Sequence, residues 1–349
     1  MTQQKVFVSI IWGYHKQFFG FSKVQNYQLN ALRLAKEAGY KTIGYMISPT
    51  VRIQDDPHFD PETQIVKYDG LWQMIRFLWI NRHALVYANS VIWQNFLLVP
   101  LFCRKTVFMA HDSIIRRSRL KQFIETAALR FYWRIRVIAP GEKEFLVRQG
   151  IASGKIFVVP IAIDTYLFKP NITPGNDIVY LGNVTPDNDL PTILRAFAQV
   201  HMNKPKIKLH IIGEIRIPEF HELVDHLGIR SSIKEHGYIP HSELSRLLPT
   251  FAIFVNSAIS SGQHLSVYEA ALSGLALCLP NTIQFNTVFT DCALFHSLYN
   301  PDQLAINLNK YLENIELAHD HNIKARKLII HGYTEMITDK KLDELFSFK

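Results

Sequence analysis

A short polar loop and one carboxylate have the residue types needed to bind a nucleotide. The loop spans residues 260–263 and contains Gly262, and the helical spacing that follows places Glu269 two turns further on. The first turn of a helix presents backbone N–H groups and a partial positive charge that favour a bound phosphate, and a glycine lets the ligand approach closely. The oxygens of Glu269 can accept hydrogen bonds from a vicinal diol such as that of ribose. The segment therefore predicts a site for a phosphate and a ribose.

Two strands and one helix are predicted to position this loop. The apolar runs at 251–256 and 276–279 are each typical of a buried parallel strand. Residues 265–273 keep apolar side chains at helical spacing, and Gly274 is expected to end that helix. The loop therefore leads from a strand into a helix N-terminus.

The order of strands and helices along the chain predicts the fold class. Apolar strands alternate with amphipathic helices from residue 5 onward, which is typical of doubly wound parallel sheets. The 349 residues are enough for two α/β domains, and residues 160–176 contain three prolines and are interpreted as a linker. We therefore expect an α/β protein with one Rossmann-like domain over residues 1–165, a second over 175–332, and a terminal helix over 333–349.

Loops that follow strands line the ligand crevice of an open α/β sheet. By this rule the loop at 12–22 and the side chain of His111 face the crevice of the first domain; a structural turn and a structural histidine are the alternatives. In the second domain the loop at 182–189 follows a strand, and a nucleotide base is expected to pack near Tyr238 and Ile239. These loops are the candidates for ligand contacts.

The sequence Asp-Asn-Asp at 187–189 allows two interpretations. It has the spacing of a metal-binding DxD motif. Asp189 also directly precedes a predicted helix, where a carboxylate can cap backbone N–H groups. The N-cap interpretation is favoured, and neither a metal ion nor another cofactor is expected.

Composition predicts a folded protein in a reducing compartment. Apolar residues make up 48% of the chain and charged residues 19%, which suits a packed core and excludes a disordered chain. The three cysteines are widely spaced without metal-ligand spacing, so they are expected to be reduced. The N-terminus shows no secretion signal, and the apolar windows 71–80 and 91–103 are too short and too polar to span a bilayer. A cytoplasmic location follows.

The formal net charge of +8 is unevenly distributed. Residues 104–136, the basic segment, contain nine basic and two acidic residues, with aromatic residues at 131–133. Three interpretations stay open: a solvated helix face, a peripheral site for anionic lipid head groups, and a nucleic-acid patch. No nucleic-acid motif supports the third, so no nucleic-acid partner is expected.

Residues 251–280 resemble the donor-site signature of the retaining GT-B glycosyltransferases of family 4, the glycosyl transferases group 1. In that signature two glutamates separated by seven residues bracket a glycine-containing loop and a helix. Here Glu269 is the second glutamate, and Ser261 stands at the position of the first. Further segments are similar to the family in the same order: 141–170, 177–197, 208–214 and 236–248.

The resemblance implies a GT-B fold, in which two Rossmann-like domains face a central cleft and the terminal helix crosses back to the first domain. It implies that His111 and Gln263 contact the transferred sugar, and it assigns the catalytic positions to His111, Gln263 and Ser261. The implied donor-binding positions are Gly182, Asn183, Asn188, Tyr238, Ile239, Gly262, His264, Leu265, Ser266 and Glu269. Gly20 and Phe21 take the place of the family's glycine-containing loop in the first domain.

Three positions differ from the family pattern. An arginine and a lysine normally contact the donor diphosphate where this chain has Asn183 and Asn188, and Ser261 replaces the first glutamate. Loss of a single preorganised charge-stabilising donor costs roughly 2.7–4 kcal/mol of transition-state stabilisation. His264 is a candidate substitute cation, because a neighbouring diphosphate favours the charged imidazolium.

The sequence favours a retaining glycosyltransferase that moves a sugar from a nucleotide-sugar donor to a glycan, lipid-linked or protein acceptor in surface polysaccharide or glycoconjugate assembly. One alternative is a non-catalytic GT-B-like subunit with a degenerate donor site that binds a partner or a glycan. Another is a different GT-B enzyme, such as a sugar-nucleotide epimerase. An anionic membrane surface, contacted through the basic segment, is the further partner expected of a peripheral enzyme at the inner face of a membrane.

Overall fold

The computed structural model describes residues 4–11, 26–47, 52–88, 93–110, 119–171, 175–259 and 264–348. The chain divides into two units. Unit 1 comprises Met1–Ala162 and Glu335–Lys349, and unit 2 comprises Ile163–Thr334.

The described part of unit 1 is a seven-stranded parallel sheet with helices. The strands are β1 (Val6–Ile11), β2 (Lys41–Met46), β3 (Gln64–Lys67), β4 (Leu85–Ala88), β5 (Lys105–Met109), β6 (Arg134–Val137) and β7 (Ile156–Val158). The helices are α1 (Tyr27–Glu37), α2 (Leu71–Ile80), α3 (Trp93–Phe102), α4 (Arg119–Leu129), α5 (Pro140–Arg148) and, near the end of the chain, α13 (Glu335–Phe346).

The sheet of unit 1 is doubly wound. Its strand order is β3-β2-β1-β4-β5-β6-β7, and all pairs are parallel. The central strand β1 places Val8 opposite both Ile43 and Val86. Because both faces of such a sheet are covered, five of the six residues of β1 are buried.

The described part of unit 2 repeats this architecture with six strands. They are β8 (Ile178–Leu181), β9 (Leu209–Ile212), β10 (Ile233–Gly237), β11 (Ile253–Val255), β12 (Ala276–Pro280) and β13 (Leu294–His296). The helices are α6 (Leu190–Asn203), α7 (Phe220–His226), α8 (His241–Leu247), α9 (Leu265–Leu272), α10 (Ile283–Phe289), α11 (Pro301–Glu313) and α12 (Ile315–Gly332).

The strand order of unit 2 is β10-β9-β8-β11-β12-β13, again all parallel. Successive strands are added outward from β8 in one direction and from β11 in the other. The strand order therefore reverses between β8 and β11, which is where doubly wound sheets bind their ligands. The predicted α/β class with two doubly wound sheets is confirmed.

The helix α13 packs within unit 1. The Arg33 guanidinium forms an ion pair with Asp339, and Arg134 Nη1 donates to the carbonyl of Leu345 at 2.6 Å. The Phe346 ring lies 5.2 Å from the rings of both Phe7 and Tyr87. Polar and aromatic contacts together attach the last described helix to unit 1.

Several elements of unit 1 were not predicted from the pattern. The edge strand β3 is short, and its residues are half-buried or exposed, so it lacks an apolar run. The apolar windows at 71–80 and 91–103 contain the helices α2 and α3, and α3 includes Pro100. In the described ranges, no helix has both the length and the apolar character needed to cross a membrane.

Candidate functional site

The loops after β8 and β11 flank the reversal of strand order in unit 2. The first begins at Gly182 and includes Asn183 and Asn188, and the second leads to His264 at the start of α9. Both carry residues that the sequence assigned to donor binding. Their position at the carboxyl ends of the central strands makes this edge of the sheet the candidate site.

Gly182 and Gly213 bring two strand-end loops into direct contact. The Gly182 N–H donates to the Ile212 carbonyl at 2.9 Å, and the Gly213 N–H donates to the Gly237 carbonyl at 2.8 Å. The backbone of Gly213 has φ +134°, and a Cβ atom there would lie 2.2 Å from the carbonyl oxygen of Gly182. Only glycine fits so close an approach. The loops after β8, β9 and β10 are thereby held together.

Asn188 holds its own loop, and the side chain of Asn183 ties that loop to the loop after β9. Asn188 Nδ2 donates to the Asn183 carbonyl at 2.5 Å, and Tyr180 Oη donates to the same carbonyl at 3.0 Å. Asn183 Oδ1 accepts from the Glu214 N–H at 3.2 Å. Their amide groups are thus used in internal hydrogen bonds, and they bring no positive charge to the site.

Ser257 attaches this loop to the end of β11. Its hydroxyl donates to the carbonyls of Asn188 at 3.0 Å and Asp189 at 2.7 Å. Asp189 occupies the N-cap position of α6, but its side chain makes no capping hydrogen bond, and its backbone is left-handed with φ 42°. Burial raises the pKa of the Asp189 carboxyl. The sequence placed Asp189 at the helix start but did not identify Ser257 as its support.

Glu269 is buried on α9 and pairs with His241. Its side chain is 4% exposed, and Oε1 lies 3.1 Å from His241 Nε2. His241 is the first residue of α8, the helix that follows β10. A carboxylate has about four acceptor positions, so Glu269 can accept from His241 and from a ligand hydroxyl at once. The predicted diol acceptor is therefore oriented by a histidine.

The environment of His241 favours its charged form. Burial lowers the pKa of the imidazole, but the hydrogen bond and the negative charge of Glu269 outweigh burial and raise it. The edge of the Phe168 ring system faces the imidazole, with ring centroids 6.2 Å apart and the planes at 77°. His241 therefore brings a titratable cation to the buried carboxylate.

The start of α9 carries His264, Leu265 and Ser266, whose role in phosphate binding stays a prediction. His264 holds the N-cap position, and Leu265 and Ser266 are the first two helical residues. The first N–H groups of a helix have no partner within the helix and point out of its N-terminus. The imidazole of His264 lies 5.4 Å from the ring of Phe285. This contact positions His264 beside the helix start.

Tyr238 and Ile239 follow β10 at the same edge of the sheet. Tyr238 is 60% exposed, whereas Ile239 is half-buried and packs against the core of unit 2. The N–H of Gly213 contacts the carbonyl of Gly237 directly before them. This arrangement places an exposed aromatic ring next to the loops after β8 and β9, and its contact with a base stays a prediction.

Six of the predicted site residues lie outside the described ranges, and their roles stay predictions. They are Gly20, Phe21, His111, Ser261, Gly262 and Gln263.

The structure also adds residues that the sequence did not identify. His241 was included only in the segment 236–248 that resembles the family, and its pairing with Glu269 joins positions 28 residues apart. No periodicity or motif marks such a contact, because it depends on how the chain brings the start of α8 close to the middle of α9. The Gly-Glu sequence at 213–214 after an apolar run was the available signal for the close loop contact at Gly213.

A separate cavity of about 490 Å³ lies in unit 1 beside α1. Its charged side chains already have partners: Lys36 Nζ lies 2.7 Å from Asp60 and 2.8 Å from Glu62, and Arg33 lies 2.9 Å from Glu37. The cavity is not at the strand-end edge where the predicted site residues meet.

Comparison with known proteins agrees with the fold. Residues 163–328 match the family model for "Glycosyl transferases group 1". One component of the phosphatidylinositol N-acetylglucosaminyltransferase of Arabidopsis thaliana is 22% identical over 211 residues, which are 56% of this chain and 46% of the relative. The human GDP-Man:Man(3)GlcNAc(2)-PP-Dol alpha-1,2-mannosyltransferase is 26% identical over 132 residues, which are 34% of this chain and 27% of the relative. The match thus spans less than half the length of each.

A solved structure is similar over almost the whole chain. Anabaena HepE in complex with UDP superposes with a TM-score of 0.80 at 12% identity, covering 99% of this chain and 100% of HepE. At this identity the likeness shows the fold alone. The predicted GT-B fold class is confirmed.

Proposed function

Residues 163–328 match the glycosyl transferases group 1 family, and from this premise we propose that the chain is a retaining glycosyltransferase of that family. It moves a sugar from a nucleotide-sugar donor to a glycan, lipid-linked or protein acceptor in surface polysaccharide or glycoconjugate assembly. The observation that carries the proposal is the buried carboxylate of Glu269. Glu269 lies on α9, a little more than one turn from the N-terminus of the helix that follows β11, and β11 borders the reversal of strand order. Such a site supports binding of a diphosphate and a ribose.

In the proposed mechanism the protein positions the donor and stabilises charge on the leaving diphosphate. Backbone N–H groups at the start of α9 bind the phosphates, and Glu269 accepts hydrogen bonds from the ribose. His111 and Gln263 contact the transferred sugar. The departing diphosphate helps to take the acceptor proton, so the reaction uses no protein nucleophile. Positioning and preorganised donors then supply the rate acceleration.

The relatives support the class of donor and acceptor. HepE was solved with UDP, which supports a nucleoside diphosphate as the leaving group. The names of both relatives include a lipid-linked acceptor, phosphatidylinositol in one and PP-Dol in the other. We therefore favour a lipid-linked acceptor, and a peripheral location at the inner face of a membrane contacted through the basic segment.

A non-catalytic subunit is the second candidate function. Asn183 and Asn188 stand where the family has two diphosphate-binding cations. Asn188 donates to the Asn183 carbonyl within the loop, and the side chain of Asn183 accepts from Glu214 in the loop after β9. A chain that lacks these charges could retain the fold and a binding role without transfer. Release of free nucleoside diphosphate distinguishes the two functions, since only a transferase with its acceptor produces it steadily.

Thermal stabilisation by a panel of nucleoside diphosphates and sugar nucleotides tests the proposal. A ligand at 100 times its dissociation constant adds about 2.7 kcal/mol to the free energy of unfolding. We expect one nucleotide class to raise the melting temperature of the wild type, and Glu269→Gln to lose most of this increase. The glutamine keeps the size of the side chain, which limits damage to the contact with His241.

Glu243→Gln is the matched control, because Glu243 lies on α8 but is exposed. It should respond to nucleotides like the wild type. Cooperative melting without stabilisation by any nucleotide would contradict a working donor site and favour the non-catalytic subunit.

A further inference from the structure

Three neighbouring helices of unit 1 expose large apolar side chains. The helix α2 packs beside α3, and α3 packs beside α4. The rings of Trp79 and Phe102 meet edge to face across the first pair, with centroids 6.5 Å apart. Trp72 is 82% exposed, Leu101 74% and Phe123 71%. We call the exposed surface of α2, α3 and α4 the apolar face.

The apolar face is concentrated in one part of the sequence. The described residues include twenty exposed large hydrophobic side chains, and ten of them lie within 71–134. The opposite side of α2 already supplies the core, since Met74 and Leu78 are fully buried. The exposed side chains are therefore additional to core packing, and a cluster of this kind marks an interaction surface.

The same segment contains the whole net charge of the protein. The chain has 38 basic and 30 acidic residues. Residues 71–134 contain ten of the basic residues and two of the acidic ones. The rest of the chain has 28 of each and is neutral overall. A partner that docks on this segment must therefore tolerate its formal charge of +8, which favours an anionic surface.

Cations stand at the ends of the helices that form the apolar face. The guanidinium of Arg82 lies 5.4 Å over the ring of Trp79. Arg104 lies two residues after the end of α3, Lys105 begins β5, Arg130 directly follows α4, and all three are exposed. Long basic side chains can lay their stems along apolar surface while their charges stay in the polar layer. Exposed apolar side chains with basic residues near the helix ends are typical of helices that lie in a membrane interface.

We infer that the apolar face docks on an anionic lipid bilayer. Trp72, Trp79, Leu101 and Phe123 enter the boundary between head groups and acyl chains, and the flanking cations contact lipid phosphates. A second copy of the chain fits poorly, because two segments of charge +8 would face each other. The inference extends the membrane part of the proposed function to a defined surface, and it does not require sugar transfer.

Binding of the full chain to vesicles tests this inference without any nucleotide sugar. The vesicles contain phosphatidylcholine alone, or equal parts of phosphatidylcholine and phosphatidylglycerol. One variant combines Trp72→Ser with Trp79→Ser and keeps the charge. A second combines Arg104→Gln with Lys105→Gln. The control combines Met202→Ser with Ile315→Ser, two similarly exposed apolar positions in unit 2.

We expect the wild type and the control to bind the phosphatidylglycerol vesicles and to bind phosphatidylcholine much more weakly. Each cation near an anionic surface contributes about 1 kcal/mol, so the Arg104/Lys105 variant should bind about thirty-fold more weakly. The affinity of the tryptophan variant for these vesicles should fall at least about tenfold, because its apolar contacts are missing. Brominated acyl chains should quench the fluorescence of the wild type and quench that of the tryptophan variant far less.

Melting temperatures of all variants establish that they are folded, and the substituted side chains are exposed. The inference is wrong if the wild type does not bind phosphatidylglycerol vesicles, or if the tryptophan variant binds as well as the control. It is also overturned if sedimentation shows a concentration-dependent dimer that Trp72→Ser and Trp79→Ser abolish, because a second copy then covers the apolar face. Vesicle binding without thermal stabilisation by any nucleotide would contradict only the proposed transfer reaction.

Discussion

His241 Nε2 lies 3.1 Å from Glu269 Oε1, and the carboxylate is almost fully buried. The contact joins the first residue of α8 to the middle of α9. It orients the side chain proposed to hold the ribose, and it makes the charge of that site depend on the protonation of a histidine. The stability of unit 2 and the binding of a nucleotide are therefore both linked to this pair.

The pair predicts a pH dependence of stability. Glu269 raises the pKa of folded His241 above its ordinary value of 6.5, so the folded state binds the proton more tightly than the unfolded state. The resulting stabilisation is fully present below about pH 6.5 and is lost as the pH rises through the raised pKa. We expect His241→Asn to cost about 1–3 kcal/mol in mildly acidic solution and less in alkaline solution. Urea unfolding across this pH range measures the difference.

His319→Asn serves as the control for this titration, because His319 is exposed on α12. Its stability should follow that of the wild type at every pH. If the curves of wild type and His241→Asn run parallel across the range, the pair does not titrate as the contact implies.

Gly213→Ala should destabilise unit 2 strongly. Its Cβ would lie 2.2 Å from the Gly182 carbonyl oxygen, and the backbone angle of +134° is unfavourable for any other residue. Strain and clash together should cost about 3 kcal/mol or more. Gly228 also has a positive φ, but nothing lies within 4 Å of an added Cβ. Gly228→Ala is therefore expected to lower the free energy of unfolding by only about 1 kcal/mol. Similar unfolding midpoints for the two variants would refute the close contact.

Restoring one cation should strengthen diphosphate binding. Asn188→Lys returns a positive charge to the loop after β8 and removes the hydrogen bond to the Asn183 carbonyl. We expect affinity for a nucleoside diphosphate to rise about tenfold, with salt dependence, and the free energy of unfolding to fall by about 1 kcal/mol. Calorimetry measures both quantities. Asn203→Lys adds the same charge at the far end of α6 and should leave affinity unchanged; an equal rise in both variants would indicate only a general charge effect.

Asp189→Asn should stabilise the protein near neutral pH. Burial raises the pKa of this carboxyl, so the folded state disfavours its charged form and loses stability as the pH rises through the raised pKa. Asparagine has no charge and tolerates the left-handed backbone at this position. We expect the free energy of unfolding to rise by about 0.5–1 kcal/mol at neutral pH, as measured by urea unfolding. The gain should shrink in acid, and a gain that persists unchanged at low pH would show that the charge is not its source.

The sequence by itself determined the fold class and the edge of the sheet that holds the candidate site. Apolar runs such as those that became β11 and β12 are local signals, and their alternation with helices leaves few topologies for a parallel sheet. The rule that ligands bind beyond strand ends then selects the loop at Gly182 and the start of α9. Each of these steps depends only on residues close together in the chain.

Tertiary structure alone decided which partner each polar group takes. Glu269 meets His241, and Ser257 supports Asn188 and Asp189, through contacts between residues 28, 69 and 68 positions apart. Such pairs depend on strand order and on helix packing, which no local pattern encodes. The same holds for the apolar face: Trp72 and Met74 are both apolar residues of α2, yet one is exposed and the other is fully buried. Which side of a mostly apolar helix meets the core is settled only when the neighbouring elements pack against it.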